Sequence, residues 1–261
     1  MGQGGRTAIV TGGLTGMGRA IALRLRRDGA DVTIGARRGG DEGAARALLG
    51  EGAGTLGEGL RVRELDVRSS ESVDAFVAEV AGRRGGVDIL VNAAGVYEEA
   101  PVIGHPDAVW EAQIDTNLSG TFRMIRAALP HMKAGGWGRI INRASMAAHT
   151  GMPGNAAYCA SKAGLLGLGR CVSLEGAAHG ITCVSISPTW VETEMLLAFV
   201  EADMAASGRP REEVLADYAA SNPQRRLVQP EEIAALAAFL VSDAARAVTM
   251  ADYPVNAGSP W

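Results

Sequence analysis

The chain has 261 residues and a formal net charge of −4, with 47% hydrophobic and 21% charged residues. These proportions are those of a globular protein with ample material for a large core, and they exclude an intrinsically disordered chain. The acidic balance, without a basic block anywhere, gives no electrostatic ground for binding nucleic acid or an anionic membrane, and no segment reaches the roughly 18 consecutive apolar residues of a membrane-spanning helix.

The opening residues, MGQGGRTAIVTGG, lack the apolar run of a signal peptide, which predicts a cytoplasmic location. Short β-rich runs then alternate with longer Ala- and Leu-rich segments of helical period. In chain order they are TAIVT (7–11), a helix over 19–29, DVTIGA (31–36), a helix over 41–50, LRVRELDV (60–67) and a helix over 70–84. There follow VDILVNAAG (87–95), a helix over 107–134, GRIINRAS (138–145), a helix over 155–178 and ITCVSISP (181–188). This alternation predicts an α/β fold with a doubly wound parallel sheet and helices on both faces, and strands as continuously apolar as DILVNA fit a sheet covered on both sides.

After Pro188 the rhythm breaks. Residues 190–225 keep helical spacing with no strand between, and they are expected to form a cap over the carboxyl ends of the strands, where a substrate would lie. PEEIAALAAFLVSD then begins a strongly apolar helix at Pro230, with acids in its first turn, and a short strand near ADYPVNAG closes the sheet. No linker separates two halves, so residues 1–261 are expected to form one domain. Cys159, Cys171 and Cys183 are odd in number, lack a CxxC pair and sit in apolar surroundings; they predict reduced, buried thiols, with neither a disulfide framework nor a metal site.

Two motifs carry chemistry. TGGLTGMG (11–18) follows the first strand and opens the first helix, placing Gly12, Gly16 and Gly18 where a tight turn, a close approach of backbone to a phosphate and close helix-to-strand packing are needed. Its spacing departs from GxGxxG, with three residues rather than one between the first two motif glycines, and alone it also fits a purely structural turn. AYCASKAG (157–164) sets Tyr158 four residues before Lys162, one of only two lysines in the chain. On a helix the two share a face, as a proton-transfer pair would, or as an exposed tyrosine above a solvated lysine. A free tyrosine, with a pKa of about 10, is roughly 2 units too basic for general-base work at mildly alkaline pH, a gap of about 2.7 kcal/mol. An ammonium about 4 Å away at an effective dielectric of about 20 supplies up to ~4 kcal/mol, enough in principle to close it.

With this glycine turn, NAAG at 92–95, Asn117 in DTNLSG, Ser145 thirteen residues before Tyr158, and RRLVQPEEIAALAAFLVSDAA near the end, the sequence resembles the short-chain dehydrogenase/reductase family from Thr7 to Gly258. The resemblance implies a single-domain Rossmann oxidoreductase interconverting a ketone and a secondary alcohol by hydride transfer. It implies Tyr158 as general acid/base, Lys162 stabilising the phenolate and bonding the nicotinamide ribose, Ser145 polarising the substrate oxygen, and Asn117 holding a water that links Lys162 to solvent. For the dinucleotide it implies Gly12, Thr15, Gly16, Met17 and Gly18 in the glycine turn, Asp66 and Val67 bracketing the adenine, Asn92, Ala93 and Gly95 along the adenosine ribose, and Pro188, Val191 and Thr193 beside the nicotinamide, together with Tyr158 and Lys162. Ser187-Pro188-Thr189 replaces the family's usual Asn-Pro-Gly, and VNAGSPW its usual Val-Asp-Gly-Gly ending; neither change removes a catalytic group.

Ala36 stands where an acid would mark NAD(H), and Arg37 and Arg38 beside it favour NADP(H), with NAD(H) possible. Arginines on a solvated surface loop would look the same, and Thr15 stands where the family's other basic marker would be. Tyr97, Met146, His149, Met152, Asn155, Trp190, Met195 and Leu196 are candidate substrate neighbours, a mostly apolar set without an evident arginine clamp, which suggests a neutral, medium-sized carbonyl or alcohol. The apolar helices over 107–134 and 155–178 suggest a homodimer or homotetramer. The other readings are a dinucleotide-sensing protein without turnover, which would lack part of the Asn-Ser-Tyr-Lys set, and a lyase or dehalogenase of the same fold, which would dispense with the glycine turn. The set and the turn are both complete.

Overall fold

Seven runs rich in β-branched residues form strands in the computed structural model, which describes residues 4–50 and 59–259. They are β1 (Thr7–Thr11), β2 (Asp31–Ala36), β3 (Leu60–Glu64), β4 (Ile89–Asn92), β5 (Gly138–Arg143), β6 (Ile181–Pro188) and β7 (Asp252–Val255). All pair in parallel, in the order β3-β2-β1-β4-β5-β6-β7. The helices between them are α1 (Gly16–Arg27), α2 (Glu42–Leu49), α3 (Ser70–Arg84), α4 (Asp107–Gln113), α5 (Gly120–Gly135), α6 (Ala156–Gly176), α7 (Glu194–Ser207), α8 (Arg211–Ala220) and α9 (Pro230–Leu240). Residues 1–3 and 260–261 of the expected single domain lie outside the described residues.

Alternation along each strand splits the core in two. Ala8, Val10, Val32, Ile34, Val91 and Ile141 face α1 and α9, whereas Ile9, Leu90, Ile140 and Cys183 face α3, α5 and α6. This is the doubly wound arrangement that the strand–helix alternation predicts. Because the chain runs outward from β1 to β2 and β3 and then returns to β4 on the other side, a crevice opens where β1 and β4 end level with each other, at the pair Thr11 and Asn92.

The 190–225 region is a pair of helices, α7 and α8, with its own small core of Leu196, Val200 and Val214. A two-residue parallel bridge between Val191 and Val228 clamps its roots, through Val228 N–H to Trp190 O at 3.0 Å and Glu192 N–H to Val228 O at 2.9 Å.

The helix expected over 107–134 is not continuous. Between α4 and α5 the backbone widens into a π-helix at Ile114–Ser119. Asn117, fully buried in that turn, explains the break: its Oδ1 accepts from Val96 N–H at 2.8 Å, and its Nδ2 donates to Val96 O at 3.0 Å and Ser161 Oγ at 3.1 Å. One inserted residue aims a side chain inward that a regular helix would point elsewhere, a common use of such turns. The expectation of three buried thiols is also corrected. Cys183 is buried, with its thiol pushed up to about 12 by that burial, but Cys159 is half-buried and Cys171 is exposed.

Opposite the crevice, the buried Asp31 carboxylate at the start of β2 takes Arg61 at 2.6 Å, the Arg84 Nε at 2.6 Å and Arg83 at 3.5 Å, tying β2 to β3 and α3. Removing a buried carboxylate from three guanidinium groups strands their charge. Asp31→Ala is expected to cost about 3 kcal/mol in denaturant unfolding; a loss below about 1 kcal/mol would show that the cluster is solvated enough to be dispensable. Asn117→Asp keeps the side-chain shape but sets acceptor oxygens against the Val96 carbonyl and Ser161 Oγ. It should lower stability by about 2 kcal/mol in thermal denaturation, and a variant as stable as the parent would contradict the role given to this amide.

Candidate active site

The glycine turn is built so that backbone, not side chains, fills its centre. Gly12 has φ +65, and a Cβ there would lie 2.8 Å from the Ala94 backbone; at Gly18 a Cβ would strike the carbonyl oxygen of Gly12. β1 and the loop after β4 can therefore touch only because position 12 carries no side chain. Thr11 Oγ1 fixes that loop from below by accepting from Ala93 N–H and Ala94 N–H, both at 3.1 Å. Sequence reasoning had no sign of this role for Thr11.

At the N-terminus of α1 the N-cap Thr15 makes no side-chain cap, and the first turn holds no acid. α2 and α3, by contrast, are capped by Asp41 and Ser69. Uncapped N–H groups and the positive end of the helix dipole beside a glycine cradle fit a diphosphate. Thr193 closes over this turn, its Cγ2 lying 3.2 Å from where a Cβ at Gly16 would be, and Glu194 beside it is drawn off by Arg19 at 3.3 Å. Arg37 and Arg38, just past the end of β2, are exposed, and neither guanidinium has a hydrogen-bond or ion-pair partner among the described residues. Asp66 is clamped by Arg68 at 2.7 Å, and this hydrogen bond, aided by the charges of Arg68 and Arg37, holds its carboxyl at about 2. Asn92 is buried and donates to Asn142 Oδ1 at 3.0 Å. These residues therefore fit a dinucleotide, through backbone at the glycines and through positive charge at 37 and 38.

Tyr158 and Lys162 stand one turn apart on α6, as their spacing requires. Lys162 is 1% exposed; its Nζ lies 5.5 Å from the Tyr158 ring centre and donates to Arg143 O at 2.8 Å. Burial pushes the Lys162 ammonium well below its ordinary pKa, and the charge of Arg143 pushes the same way. Ser161 completes the underside of the site by accepting from Asn117 and donating to Tyr158 O at 2.8 Å. Ser145 ends the loop after β5 and caps a single 3-10 turn, Met146–Ala148, its Oγ accepting from Ala147 N–H at 3.1 Å. That bond leaves the Ser145 hydroxyl hydrogen free for a ligand.

Ser145 and Tyr158 line one wall of a cavity of about 340 Å³ roofed by α7. Tyr97, Met146, Met152, Asn155, Trp190, Met195 and Leu196 line it, as do Met17, Pro188, Val191 and Thr193. An edge-to-face aromatic chain runs along it: Tyr158 to Tyr97 at 5.2 Å, Tyr97 to Phe199 at 5.1 Å, Phe199 to Trp190 at 6.0 Å and Trp190 to Tyr218 at 4.8 Å. Burial first, and the charge of Glu99 second, push the Tyr97 phenol above its ordinary range.

His149 is a correction. It is not part of the cavity lining; its Nε2 meets Asp252 Oδ2 at 2.7 Å, beside Ser187, which donates to Asp252 Oδ1 at 2.8 Å. Ser187, the departure from the usual Asn-Pro-Gly, is thereby accounted for as a tie between β6 and β7. The lining also holds residues that the sequence reading did not name, among them Phe199 and Arg143. Phe199 could have been found four residues after Met195 on the same helix face, and Arg143 from its place two residues before Ser145 at the end of β5. An arginine thus joins a set that the sequence showed as mostly apolar and without an evident arginine clamp.

A family model described as enoyl-(acyl carrier protein) reductase matches residues 12–259. The chain is 37% identical to acetoacetyl-CoA reductase of Allochromatium vinosum over 97% of its own length and 98% of that protein's. It is 36% identical to D-beta-hydroxybutyrate dehydrogenase of Cupriavidus necator over 97% of each. Among solved structures, a variant of actinorhodin polyketide ketoreductase with NADPH superposes with a TM-score of 0.89 at 36% identity, covering 97% of this chain and 96% of that one. The names differ in the bond reduced and in the substrate, but the glycine turn, NAAG loop, Ser145, Tyr158 and Lys162 stand together in one crevice. The chain belongs to the short-chain dehydrogenase/reductase family and is an oxidoreductase acting between carbonyl and alcohol.

Proposed function

We propose that this enzyme reduces a ketone on a largely apolar substrate body, and oxidises the corresponding secondary alcohol, with NADP(H) preferred over NAD(H). The observation that carries this reading is the buried Lys162 ammonium beneath the ring of Tyr158, which lines a cavity together with Ser145 and with Met17 of the glycine turn. The nicotinamide, when bound, supplies or accepts the hydride. The chain must bind the substrate oxygen, supply or remove its proton and keep water out.

In the reductive direction the Tyr158 hydroxyl donates its proton to the carbonyl oxygen as negative charge grows there, and the Ser145 hydroxyl hydrogen bonds the same oxygen. Lys162 stabilises the phenolate that remains, in a setting too dry for water to do so. Asn117 positions these groups by binding Val96 and Ser161, so that α6 and the loop after β4 keep a fixed distance. Alcohol oxidation follows the reverse path. Trp190, Phe199, Met146 and Met195 exclude water from the reacting carbon.

The preference for NADP(H) rests on Arg37 and Arg38, unpartnered just past β2, with Ala36 where an acid would accept ribose hydroxyls. Solvent-exposed Phe122 on α5 and Leu174 on α6 support self-association through those helices into a dimer or tetramer. No helix among the described residues is long and apolar enough to cross a membrane, which is compatible with a cytoplasmic enzyme.

A panel of ketones and alcohols run with NADPH and NADH, followed at the absorbance of the reduced nicotinamide, tests the reading. Tyr158→Phe should lower turnover by about 10²-fold or more while leaving dinucleotide binding intact; near-parental turnover would refute its role. Arg37→Asp should shift the NADPH-to-NADH ratio of kcat/KM toward NADH by about tenfold or more, and an unchanged ratio would count against NADP(H).

A further inference from the structure

Arg143 has no counterpart in the proton-transfer scheme, yet it is the one charged side chain in the lining of the catalytic cavity, and none of the lining residues is acidic. β5 delivers it there. Alternation gives it the face of Ile141, but the strand ends at residue 143, so the side chain leaves the core at the strand's carboxyl edge. Its Nη2 lies 2.5 Å from where a Cβ at Gly95 would be, a position that is also 3.1 Å from Asn117 Oδ1. The guanidinium thus occupies the space that a side chain at position 95 would take.

That guanidinium has no acceptor among the described residues, and its Nε is fully buried without a partner. Next to it lies a second cation, since Lys162 Nζ is bonded to Arg143's own carbonyl oxygen at 2.8 Å. A guanidinium whose Nε donor is buried without a partner, beside a like charge, is costly to hold. Arg143 is thus a cation in a cavity lining that holds no carboxylate among the described residues, with Lys162 bonded to its backbone. An acceptor from outside, carrying negative charge, resolves both the missing hydrogen bonds and the repulsion.

We propose that Arg143 is a binding and specificity-determining residue that takes an anionic oxygen of the ligand entering the cavity. This rests on, and deepens, the oxidoreductase reading above. The oxygen comes from one of two sources, the diphosphate of the dinucleotide, whose glycine cradle abuts the same loop, or an acid group of the carbonyl substrate. Arg143 forms a charge-assisted, bidentate contact with it and excludes ligands that offer only apolar atoms there.

The test compares the parent with Arg143→Ile, which keeps apolar bulk without charge, and with Arg143→Lys and Arg143→Gln, each checked for an unchanged unfolding midpoint. The dissociation constants of NADPH and NADH are measured by nicotinamide fluorescence without substrate, at low and high salt. KM is then measured for 3-oxobutanoate and for its ethyl ester.

If the dinucleotide supplies the oxygen, Arg143→Ile binds both cofactors about tenfold or more weakly and loses part of the salt dependence, while Arg143→Lys recovers part of each. If the substrate supplies it, cofactor binding holds, but the preference for acid over ester falls by about tenfold or more, again partly restored by lysine. The proposal is overturned if Arg143→Ile stays within about twofold of the parent in both measurements, including the case in which the parent itself does not distinguish acid from ester. Failure of the wider reading is separate: a parent that binds neither dinucleotide and reduces no ketone would refute that reading, whatever the variants did.

Discussion

The whole site depends on an ammonium ion held in a place where water cannot solvate it. Lys162 is almost fully enclosed, and its one side-chain hydrogen bond among the described residues is to a strand-end carbonyl on β5. Burial makes that charge expensive, as the downward pressure on its pKa shows, so the fold must hold the lysine there through packing on both sides. α6 supplies one side through its register over β5 and β6. The widened turn at Asn117 supplies the other by binding both the Val96 backbone and Ser161. Stability given up at this point is recovered elsewhere, in the two large apolar layers and in clusters such as the three arginines around Asp31, well away from the reacting atoms.

The same economy of space explains the dinucleotide side. The crevice exists because the chain changes direction between β1 and β4, and it stays open to a phosphate because Gly12 and Gly18 admit backbone where side chains would collide. Leaving Thr15 without a capping bond, in a protein that caps α2 and α3, keeps the first N–H groups of α1 for an anion. Cap and catalytic helix are joined by aromatic contacts running from Tyr158 to Tyr218.

Strands and most helices were legible in the amino-acid sequence because their physics is local: β-branched runs, Ala- and Leu-rich segments, Pro230 at the start of α9. Tyr158 and Lys162 were legible because four residues along a helix fix a shared face. The π-turn at Ile114–Ser119 was not, since the apolar period continues across it and only a tertiary bond to Val96 reveals the extra residue. His149 was misread because its partner, Asp252, is 103 residues away and reaches it only through the pairing of β6 with β7. Arg143 was passed over as an ordinary strand residue; its direction depends on where β5 stops, which composition does not encode.

A crystal structure of the enzyme with a bound nicotinamide dinucleotide and a carbonyl ligand tests the central claim most directly. The account predicts Lys162 Nζ within hydrogen-bond reach of the nicotinamide ribose, and the Tyr158 and Ser145 hydroxyls both about 3 Å from the ligand oxygen. A complex in which Lys162 keeps only its bond to the Arg143 carbonyl, with the Tyr158 hydroxyl turned out of the cavity, would contradict it.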